Sequence, residues 1–456
     1  MPFVIFARNS FPVMRRILLI GAGRSSSSLI NYFLENAQTE NWTLTVGDVS
    51  VESARQKTND HPAATAVQFD ITSETDREKH IANADIVISL LPAHMHLPVA
   101  IECVKQKKDL VTASYVSPEM QELDAGAKVA DIILLNECGL DPGIDHMSAM
   151  QIIDEIKSKG GELTSFKSYT GGLVAPESND NPWGYKFSWN PRNVILAGQG
   201  TARFVENGKY KYIPYNRLFT EIETISVDEN NSYDGYANRD SLAYRHHYGL
   251  ETIPTMLRGT LRQKGYCKAW NVFVKLGLTD DSFVVEGSSK MTFAQVVESF
   301  IPKSVKGATL KDRLAAFMNC TVNDESIQLV EWTGILADDP ITVPDSTPAQ
   351  ILQTLLERKW LLRPEDKDMI VMQHIFEYKL ACKNVHHTSS LVVKGDNSIY
   401  TAMAKTVGLP VAIAAKFILN KKIALKGVQI PIDKSIYEPV LNELEHYGIR
   451  FDEKVI

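Results

Sequence analysis

Ile17-Leu-Leu-Ile-Gly-Ala-Gly-Arg-Ser-Ser26 is the stretch that decides the fold of the N-terminal part of this chain of 456 residues. Its four apolar residues predict a short buried strand, and its two glycines predict a tight turn into a helix over about 27–36. Gly21 permits the turn, and Gly23 lets backbone amides approach a pyrophosphate at the helix N-terminus. The pattern therefore predicts a dinucleotide-binding strand–turn–helix, in which Ser26 replaces the third glycine.

An acidic residue ends the next predicted strand, which runs from Thr43 to Gly47 and meets Asp48. A carboxylate at this strand end accepts hydrogen bonds from the adenosine ribose hydroxyls and repels a 2′-phosphate. Asp48 therefore predicts NAD as the cofactor in preference to NADP.

Strands and helices go on alternating up to residue 136, which predicts a doubly wound parallel sheet of six strands. Beyond the first two strands, the predicted strands are 66–69, 85–92, 109–112 and 131–136, with helices at 96–105 and 118–130. His94 and His96 lie in a loop between two of these elements. They could bind a metal, but no third ligand stands near them in the sequence, and the alternative is an incidental pair.

The bulk composition excludes several classes of protein. Hydrophobic residues make up 44% of the chain and charged residues 23%, with a net charge of -7, as in globular proteins that do not bind nucleic acid. The five cysteines are scattered, which favours a reducing cytoplasm. We expect no membrane span, because no apolar run approaches the ~20 residues required. The first thirteen residues fit neither a secretory signal nor a structural element.

The stretch Asn136–His146 joins a buried strand to an apolar helical pattern through a Gly/Pro turn. In an open α/β sheet such turns lie at the carboxyl ends of strands, where ligands bind. Asp141 and Asp145 also stand where a helix start favours negative charge. Helix capping and ligand binding are both consistent with these acids.

The rest of the chain changes in character. Residues 160–275 are rich in Gly, Pro, Asn, Tyr and Trp, with strand-like segments at 163–170 and 204–213, which suits a ligand pocket on an α+β domain. Helices are predicted at 292–300, 310–318, 325–336 and 347–360, and strands at 370–380 and 390–394. A helix over about 398–419 is predicted to break near Gly408-Leu-Pro410.

Several longer motifs resemble those of the glutamate-forming saccharopine dehydrogenases, in the same order and over nearly the whole chain from Arg16. The matching stretches are Val87-Ile-Ser-Leu-Leu-Pro92, Val111-Thr-Ala-Ser-Tyr115, Gly139-Leu-Asp-Pro-Gly-Ile-Asp-His146, Tyr169-Thr-Gly-Gly172, Asn181-Pro-Trp-Gly-Tyr-Lys-Phe-Ser-Trp189, Asn238-Arg-Asp-Ser241, Arg258-Gly-Thr-Leu-Arg262, Tyr400-Thr-Ala-Met-Ala404 and Tyr447-Gly-Ile449. The second strand departs from the fungal members, since Gly47-Asp48-Val49 replaces a Cys-Arg-Thr run suited to NADP.

The resemblance implies an oxidoreductase that converts saccharopine, water and an oxidised nicotinamide cofactor reversibly into glutamate and 2-aminoadipate 6-semialdehyde. It also implies a homodimer and three domains. These are a Rossmann domain at 14–140, completed by about 395–456, a central α+β substrate and dimerisation domain at 141–288, and a mainly helical domain at 289–394.

The resemblance further implies two sets of binding residues. The cofactor set is Gly21, Gly23, Arg24, Ser25, Asp48, Asp70, Ile71, Leu91, Thr112, Ala113, Leu140 and Pro142. The substrate set is Ser114, Tyr115, Asp141, Arg239, Thr260, Leu261 and Arg262.

The chemistry of this substrate fits those residue types. Saccharopine has three carboxylates, which Arg239 and Arg262 could bind bidentately. Asp141 could hold an ammonium group, and Asp141, Tyr115 and Lys186 are open alternatives for proton transfer. His146 is either a packing residue at a helix start or a proton carrier.

Two other readings remain open. One is a sibling reaction on the same scaffold, such as that of a carboxynorspermidine-type dehydrogenase or a lysine 6-dehydrogenase. The other is a non-catalytic nucleotide-sensing protein, which would lack the pocket residues while keeping the glycine turn. The sequence does not choose between lysine breakdown and lysine synthesis.

Overall fold

The computed structural model describes residues 14–197 and 199–456, so the expectation for the first thirteen residues lies outside the described part. The chain divides into two compact units. The first unit contains the residues up to Ser148 together with Ala404–Tyr447, and the second contains Ala149–Met403 together with Gly448–Ile456. The division into three domains stays a prediction.

The strands are numbered in chain order. They are β1 (Arg15–Ile20), β2 (Trp42–Asp48), β3 (Ala64–Gln68), β4 (Ile86–Ser89), β5 (Asp109–Thr112), β6 (Ile133–Leu135), β7 (Glu162–Val174), β8 (Ala202–Glu206), β9 (Lys209–Ile213), β10 (Ile222–Ser226), β11 (Ser232–Ala237), β12 (Thr255–Arg262), β13 (Asp368–Leu380), β14 (Lys383–Lys394), β15 (Gly427–Gln429) and β16 (Asp452–Val455).

The α-helices are numbered in the same way. They are α1 (Ser27–Glu35), α2 (Ala37–Glu40), α3 (Val51–Thr58), α4 (Glu74–Ala82), α5 (His96–Gln106), α6 (Pro118–Gln121), α7 (Asp124–Val129), α8 (Ile144–Ser158), α9 (Pro191–Ile195), α10 (Tyr215–Leu218), α11 (Tyr244–His247), α12 (Tyr266–Leu276), α13 (Phe293–Phe300), α14 (Leu310–Phe317), α15 (Glu325–Thr333), α16 (Pro348–Trp360), α17 (Ala402–Leu419) and α18 (Lys434–Leu444).

The first unit is built on a parallel sheet with the strand order β15-β6-β5-β4-β1-β2-β3. All six predicted strands are present, which confirms the Rossmann-type fold class; β15 is an addition from the C-terminal part of the chain. Apolar side chains such as Leu18, Ile20 and Val87 are buried in its core. The strand order reverses between β1 and β4, and in such sheets ligands bind beyond the strand ends at the point of reversal.

Helix α17 runs unbroken from Ala402 to Leu419 with Pro410 inside it, so the predicted interruption is wrong. Gly408 serves close packing: a Cβ there would lie 3.0 Å from the Ser25 carbonyl oxygen and 3.1 Å from the Leu29 Cβ. By length and composition α17 is the one helix in the described part of the chain that could cross a membrane. However, 72% of it is buried inside the protein, as expected of a core helix.

The second unit is built on a mixed sheet with the strand order β10-β11-β12-β7-β13-β14-β16. Strand β8 pairs with β12 and with β9. Only the β12–β7 pair is parallel among the strand pairs recorded for this sheet. The strands predicted near 163–170, 204–213, 370–380 and 390–394 are all present, which confirms the α+β character of this part.

Helices α13, α14 and α16 of the second unit each begin at a threonine that forms a capping box. Thr292, Thr309 and Thr347 accept a hydrogen bond from the backbone three residues on, and the side chain at that position bonds back to the cap. Each box satisfies two backbone donors that the first helical turn leaves open. The predicted helices in this region are confirmed, with boundaries within three residues.

Candidate active site

The glycine turn after β1 has the geometry that a pyrophosphate needs. Gly21 has φ +104°, and a Cβ there would lie 2.8 Å from the Leu90 carbonyl oxygen, so only glycine fits. Gly23 has no heavy atom within 4 Å of the position of a Cβ, which leaves open space beside the turn. The Ser26 hydroxyl donates to the Gly23 carbonyl oxygen at 2.8 Å and fixes the start of the helical segment. The turn therefore fits a dinucleotide phosphate at a helix N-terminus.

Asp48, at the end of β2, braces this turn. One carboxylate oxygen accepts a hydrogen bond from the Ala22 amide at 2.8 Å, and the other accepts one from the Ser50 amide at 2.9 Å. Both oxygens therefore have backbone donors, one inside the glycine turn and one at the start of α3.

The other predicted cofactor residues lie at the ends of neighbouring parallel strands. Asp70 follows β3, and its carboxylate accepts hydrogen bonds from the Thr72 hydroxyl at 2.7 Å and amide at 2.8 Å, which lower its pKa. Ile71 is buried, and Leu91, after β4, is half-buried. Arg24 and Ser25 lie in the glycine turn, where Arg24 is exposed. These positions surround the strand ends, where a dinucleotide is expected.

His96 links the ends of β4 and β5. Its Nδ1 lies 2.8 Å from the Ser89 hydroxyl oxygen, and its Nε2 lies 2.7 Å from the Ser114 hydroxyl oxygen. Burial, with a smaller contribution from the charge of His94, lowers the pKa of His96 to about 4, so the imidazole is neutral at pH 7. Both ring nitrogens are therefore engaged, Nδ1 by the Ser89 hydroxyl and Nε2 by the Ser114 hydroxyl. In the described part of the chain, no group of three or more His, Cys, Asp or Glu residues is arranged to hold a metal.

Tyr115 and Asp141 face each other in the first unit, with the Tyr115 hydroxyl 3.4 Å from a carboxylate oxygen of Asp141. Asp141 precedes Pro142 through a cis peptide bond, and the Gly139 amide donates to the Pro142 carbonyl oxygen at 2.9 Å. Gly143 closes the turn with φ +148°, where a Cβ would overlap the Gly139 backbone. The structure thus brings together two of the three proposed proton-transfer residues.

The predicted cofactor residues Thr112, Ala113 and Leu140 lie in the segments that carry Tyr115 and Asp141. The Thr112 carbonyl oxygen accepts the Cys138 amide at 3.1 Å, which joins the end of β5 to the strand β6 side of the turn. A Cβ on Gly139 would lie 2.9 Å from the Ala113 Cβ, so this glycine lets the two segments approach closely. Leu140 is buried.

Arg262, the last residue of β12 in the second unit, is a buried cation with no acidic partner in the described part of the chain. It is only 6% exposed, and its guanidinium carbon lies 5.3 Å from the Tyr185 ring centre and 5.5 Å from the Tyr266 ring centre. Its Nη1 donates to the Leu261 carbonyl oxygen at 2.9 Å, while its buried Nε has no hydrogen-bond partner among the residues that the structure describes. A buried, incompletely bonded guanidinium of this kind suits the binding of a ligand carboxylate.

Three tyrosine side chains, Tyr185, Tyr236 and Tyr266, interact with this guanidinium. Burial raises the pKa of Tyr185, Tyr236 and Tyr266, although the charge of Arg262 acts in the opposite direction on each. The three hydroxyls therefore remain protonated at pH 7. Protonated hydroxyls can donate hydrogen bonds to an anionic group, and the sequence analysis had not singled out these three tyrosines.

The two predicted arginines are not neighbours in the sheet. Asp234 of β11 pairs with Arg262 and Ala237 pairs with Gly259, so Arg239 lies five residues along the strand direction from the Arg262 level. Arg239 is exposed and has φ +39°.

Thr260 and Leu261 lie on opposite faces of β12, because side chains alternate along a strand. Thr260 shares the face of Arg262, whereas Leu261 is fully buried on the other. A Cβ on Gly171 would lie 2.5 Å from the Leu261 carbonyl oxygen, so β7 and β12 approach closely here. Thr260 can therefore present its side chain beside Arg262, and Leu261 contributes packing.

Lys186 is held between two carboxylates of the second unit. It is 2% exposed, and its Nζ lies 2.7 Å from Asp366 and 2.9 Å from Asp180. Lys186 lowers the pKa of Asp180, which also contacts Arg363 at 2.6 Å. These ion pairs compensate the buried charge of Lys186 and favour a structural role over proton transfer.

Two family models together match most of the chain. A family model described as "Saccharopine dehydrogenase NADP binding domain" matches residues 17–135, and one described as "Saccharopine dehydrogenase C-terminal domain" matches residues 139–449.

Two named relatives illustrate the range of chain lengths. The mitochondrial alpha-aminoadipic semialdehyde synthase of Rattus norvegicus is 35% identical over 97% of this chain and 48% of its own length. The chain thus spans about half the length of that relative. A saccharopine dehydrogenase [NADP(+), L-glutamate-forming] of Pyricularia oryzae is 34% identical over 97% of this chain and 99% of its own length.

Two solved structures are also similar. The apo saccharopine dehydrogenase (L-Glu forming) of Saccharomyces cerevisiae superposes with a TM-score of 0.87 at 33% identity, covering 97% of this chain and 100% of that chain. A homospermidine synthase of Legionella pneumophila in complex with NAD gives a TM-score of 0.53 at 9% identity, covering 97% of this chain and 91% of that chain, which shows a likeness of fold alone.

The prediction that NAD is preferred over NADP is wrong. The matching N-terminal family model is that of an NADP binding domain, and the fungal relatives that match over their full length are named for NADP(+). The physical reason lies in Asp48, whose two oxygens already accept the Ala22 and Ser50 amides. Asp48 therefore has a structural role in bracing the turn, so its presence at the strand end does not by itself determine the cofactor.

Proposed function

We propose that the chain, which belongs to the saccharopine dehydrogenase family, is a glutamate-forming saccharopine dehydrogenase. The reaction converts saccharopine, NADP+ and water into glutamate, 2-aminoadipate 6-semialdehyde, NADPH and a proton. In this reaction a C–N single bond is oxidised to an imine, and water then cleaves the imine. When bound, the oxidised cofactor accepts the hydride.

The observation that carries the proposal is the environment of Arg262. Its guanidinium is buried among tyrosine rings, its Nε lacks a partner, and it forms no ion pair within the described residues. A buried charge is costly unless it is compensated. A carboxylate of saccharopine would supply both the missing charge and the missing acceptor, and the protonated tyrosine hydroxyls could donate to the same group.

Tyr115 and Asp141 support the proton chemistry that the reaction requires. The amine must lose a proton before oxidation, and imine hydrolysis needs a base for water and an acid for the leaving amine. The Tyr115 hydroxyl contacts the Asp141 carboxylate at 3.4 Å, so a proton donor and an acceptor stand together. Asp141 would also hold an ammonium group. Lys186 is less suited to this role because two carboxylates bind it.

An absorbance assay for NADPH formation tests the proposed reaction. Saccharopine with NADP+ should give NADPH and an equal amount of glutamate. Lysine or carboxynorspermidine as the preferred substrate would instead assign one of the sibling reactions. Turnover with none of these substrates would contradict the proposal.

A matched pair of variants tests the role given to Arg262. Arg262→Gln should lose saccharopine turnover, whereas Arg192→Gln should retain it. Arg192 is also partly buried in the second unit, but it pairs with Asp281. Equal effects of the two changes would show that the loss comes from general disturbance of this unit.

We also propose that the protein is a cytoplasmic homodimer formed through the second unit. All five cysteines are free, which supports a reducing compartment. Light scattering coupled to size-exclusion chromatography tests the dimer, and a monomer at micromolar concentration would contradict it. Fractionation of cells of the source organism tests the compartment.

A further inference from the structure

Glu137 ties together the two segments that carry Tyr115 and Asp141. Its backbone amide donates to the Ser114 carbonyl oxygen at 3.0 Å, and its Oε1 accepts the Val116 amide at 3.0 Å. These two hydrogen bonds fix the backbone on both sides of Tyr115. Glu137 is buried and has φ +55°, so the chain adopts an unusual local conformation at the point where these bonds form.

The other carboxylate oxygen of Glu137 reaches the Asp141 turn through His146. Its Oε2 lies 2.9 Å from Nε2 of His146, which is fully buried at the start of α8. Nδ1 of His146 lies 3.7 Å from Asp145, and Asp145 accepts the Gly143 amide at 2.6 Å. Gly143 follows directly after Asp141 and Pro142.

We propose that Glu137 and His146 are positioning residues that hold the Tyr115 hydroxyl and the Asp141 carboxylate at a fixed distance and orientation to each other. Neither side chain reaches the substrate in this proposal; both act through the segments they bind. The direct contact between Tyr115 and Asp141 is 3.4 Å, at the long end of the hydrogen-bond range, so it does not by itself fix the pair. The catalytic part of this inference rests on the proposed function.

The Glu137 cluster (Glu137, Asp145 and His146) contacts both segments that carry the reactive groups. It binds the Tyr115 segment at two points and the Asp141 turn at one, and every bond lies within the first unit. Loosening the cluster should move the two reactive groups relative to each other. A displacement of about 1 Å between reacting groups can lower a rate by about 100-fold.

Hydrogen–deuterium exchange of the purified protein tests the mechanical part without any substrate. Glu137→Gln and His146→Gln should both speed exchange in peptides covering 113–118 and 139–147. His387→Gln is the matched control, since His387 is also buried and pairs with a glutamate, Glu453, at 2.5 Å within the second unit. It should leave those peptides unchanged. Unchanged exchange in both cluster variants would overturn the proposal.

A double-mutant cycle tests the catalytic part. In the wild-type background Glu137→Gln should lower kcat/KM for saccharopine by at least about tenfold, mainly through kcat, with the dissociation constant for NADPH unchanged. In a Tyr115→Phe background, which lacks the hydroxyl being positioned, the same change should cost less than about threefold. Equal losses in both backgrounds would overturn the positioning role.

The two experiments separate the possible failures. Absence of saccharopine turnover in the wild-type protein contradicts the proposed function, and the exchange measurement then decides the inference alone. Melting temperatures identify a variant that fails to fold; the remaining cluster variant then decides the exchange experiment. Retention of wild-type exchange and wild-type kcat/KM in that variant would refute the proposal.

Discussion

Replacement of Arg262 by methionine should separate ligand binding from folding. Methionine fills much of the same space but removes the charge. Among residues 14–197 and 199–456, the guanidinium forms one hydrogen bond, to the Leu261 carbonyl oxygen, and two aromatic contacts, at 5.3 and 5.5 Å. That hydrogen bond contributes about 1.5–3 kcal/mol. Each aromatic contact contributes about 0.5–2 kcal/mol.

The desolvation of the buried guanidinium opposes these contributions. Its effective cost is several kcal/mol for a charge with no paired carboxylate. The two sides are comparable in size, so Arg262→Met should change the free energy of unfolding of the free protein by less than about 2 kcal/mol in either direction. A structural arginine with an acidic partner would instead cost about 3–5 kcal/mol when its partner was left unpaired.

Substrate binding should show the opposite pattern. Leaving a bound carboxylate without its partner costs about 2–5 kcal/mol. This corresponds to a loss of about 30-fold to several thousand-fold in kcat/KM. Saccharopine at 100 times its wild-type dissociation constant should stabilise the wild-type protein by about 2.7 kcal/mol, and the same concentration should stabilise the variant by less than about 1 kcal/mol.

Thermal unfolding with and without saccharopine, together with initial rates, measures both effects. The reasoning is refuted if Arg262→Met keeps the wild-type kcat/KM and the wild-type stabilisation by saccharopine. A large fall in melting temperature with normal kinetics would assign Arg262 to the fold.

Four further predictions follow from the same structure. Gly23→Ala should leave the melting temperature nearly unchanged, since the site of the added methyl is open, but should weaken NADPH binding measured by fluorescence; unchanged affinity would contradict the phosphate site. Asp141→Asn should lower kcat/KM at least ~100-fold, or about 2.7 kcal/mol, with little change in melting temperature, because a bound ammonium group would lose its charged partner; normal kinetics with a lowered melting temperature would make Asp141 structural. Lys186→Met should lower stability by about 3–5 kcal/mol, because the buried Asp366 carboxylate loses its cationic partner, whereas Asp180 keeps Arg363; a stable, inactive variant would return Lys186 to catalysis. The pKa of His96 is lowered to about 4 in the folded protein, so the stability it contributes is complete above pH 6.5 and falls by about 3 kcal/mol as the pH drops to 4; urea unfolding of His96→Gln across this range should lack that fall.

The first unit could be predicted from the sequence because its signals are local. Each parallel strand is a short apolar run followed by a turn, and the glycines after Ile20 mark the first crossover. The helical break at Pro410 was wrongly predicted because the packing of α17 outweighs the local preference of proline. Propensity is a weak signal when most of a helix is buried.

The details of the site depend on contacts between distant residues, which sequence patterns do not contain. The sequence does not show whether the Asp48 carboxylate accepts hydrogen bonds from a ribose or from backbone amides. The structure shows the two amides. Glu137 was overlooked because a polar residue after a buried strand is common, and its contacts with Val116 and His146 are not visible in the sequence. The lack of an acidic partner for Arg262 among the described residues is likewise a property of the folded surroundings, since the sequence contains 55 Asp and Glu residues.

Strand β15 has a consequence for biosynthesis. Its residues Gly427–Gln429 pair with β6 at Ile133–Leu135, across a separation of 294 residues between the first paired positions. A ribosome therefore releases the six N-terminal strands long before the seventh exists. Until then β6 presents an unpaired edge, which is a site for incorrect association. Assembly of this sheet must be completed late, after synthesis of residues 149–403 of the second unit, so a fragment ending near residue 148 should be prone to aggregation even though it contains the whole glycine turn.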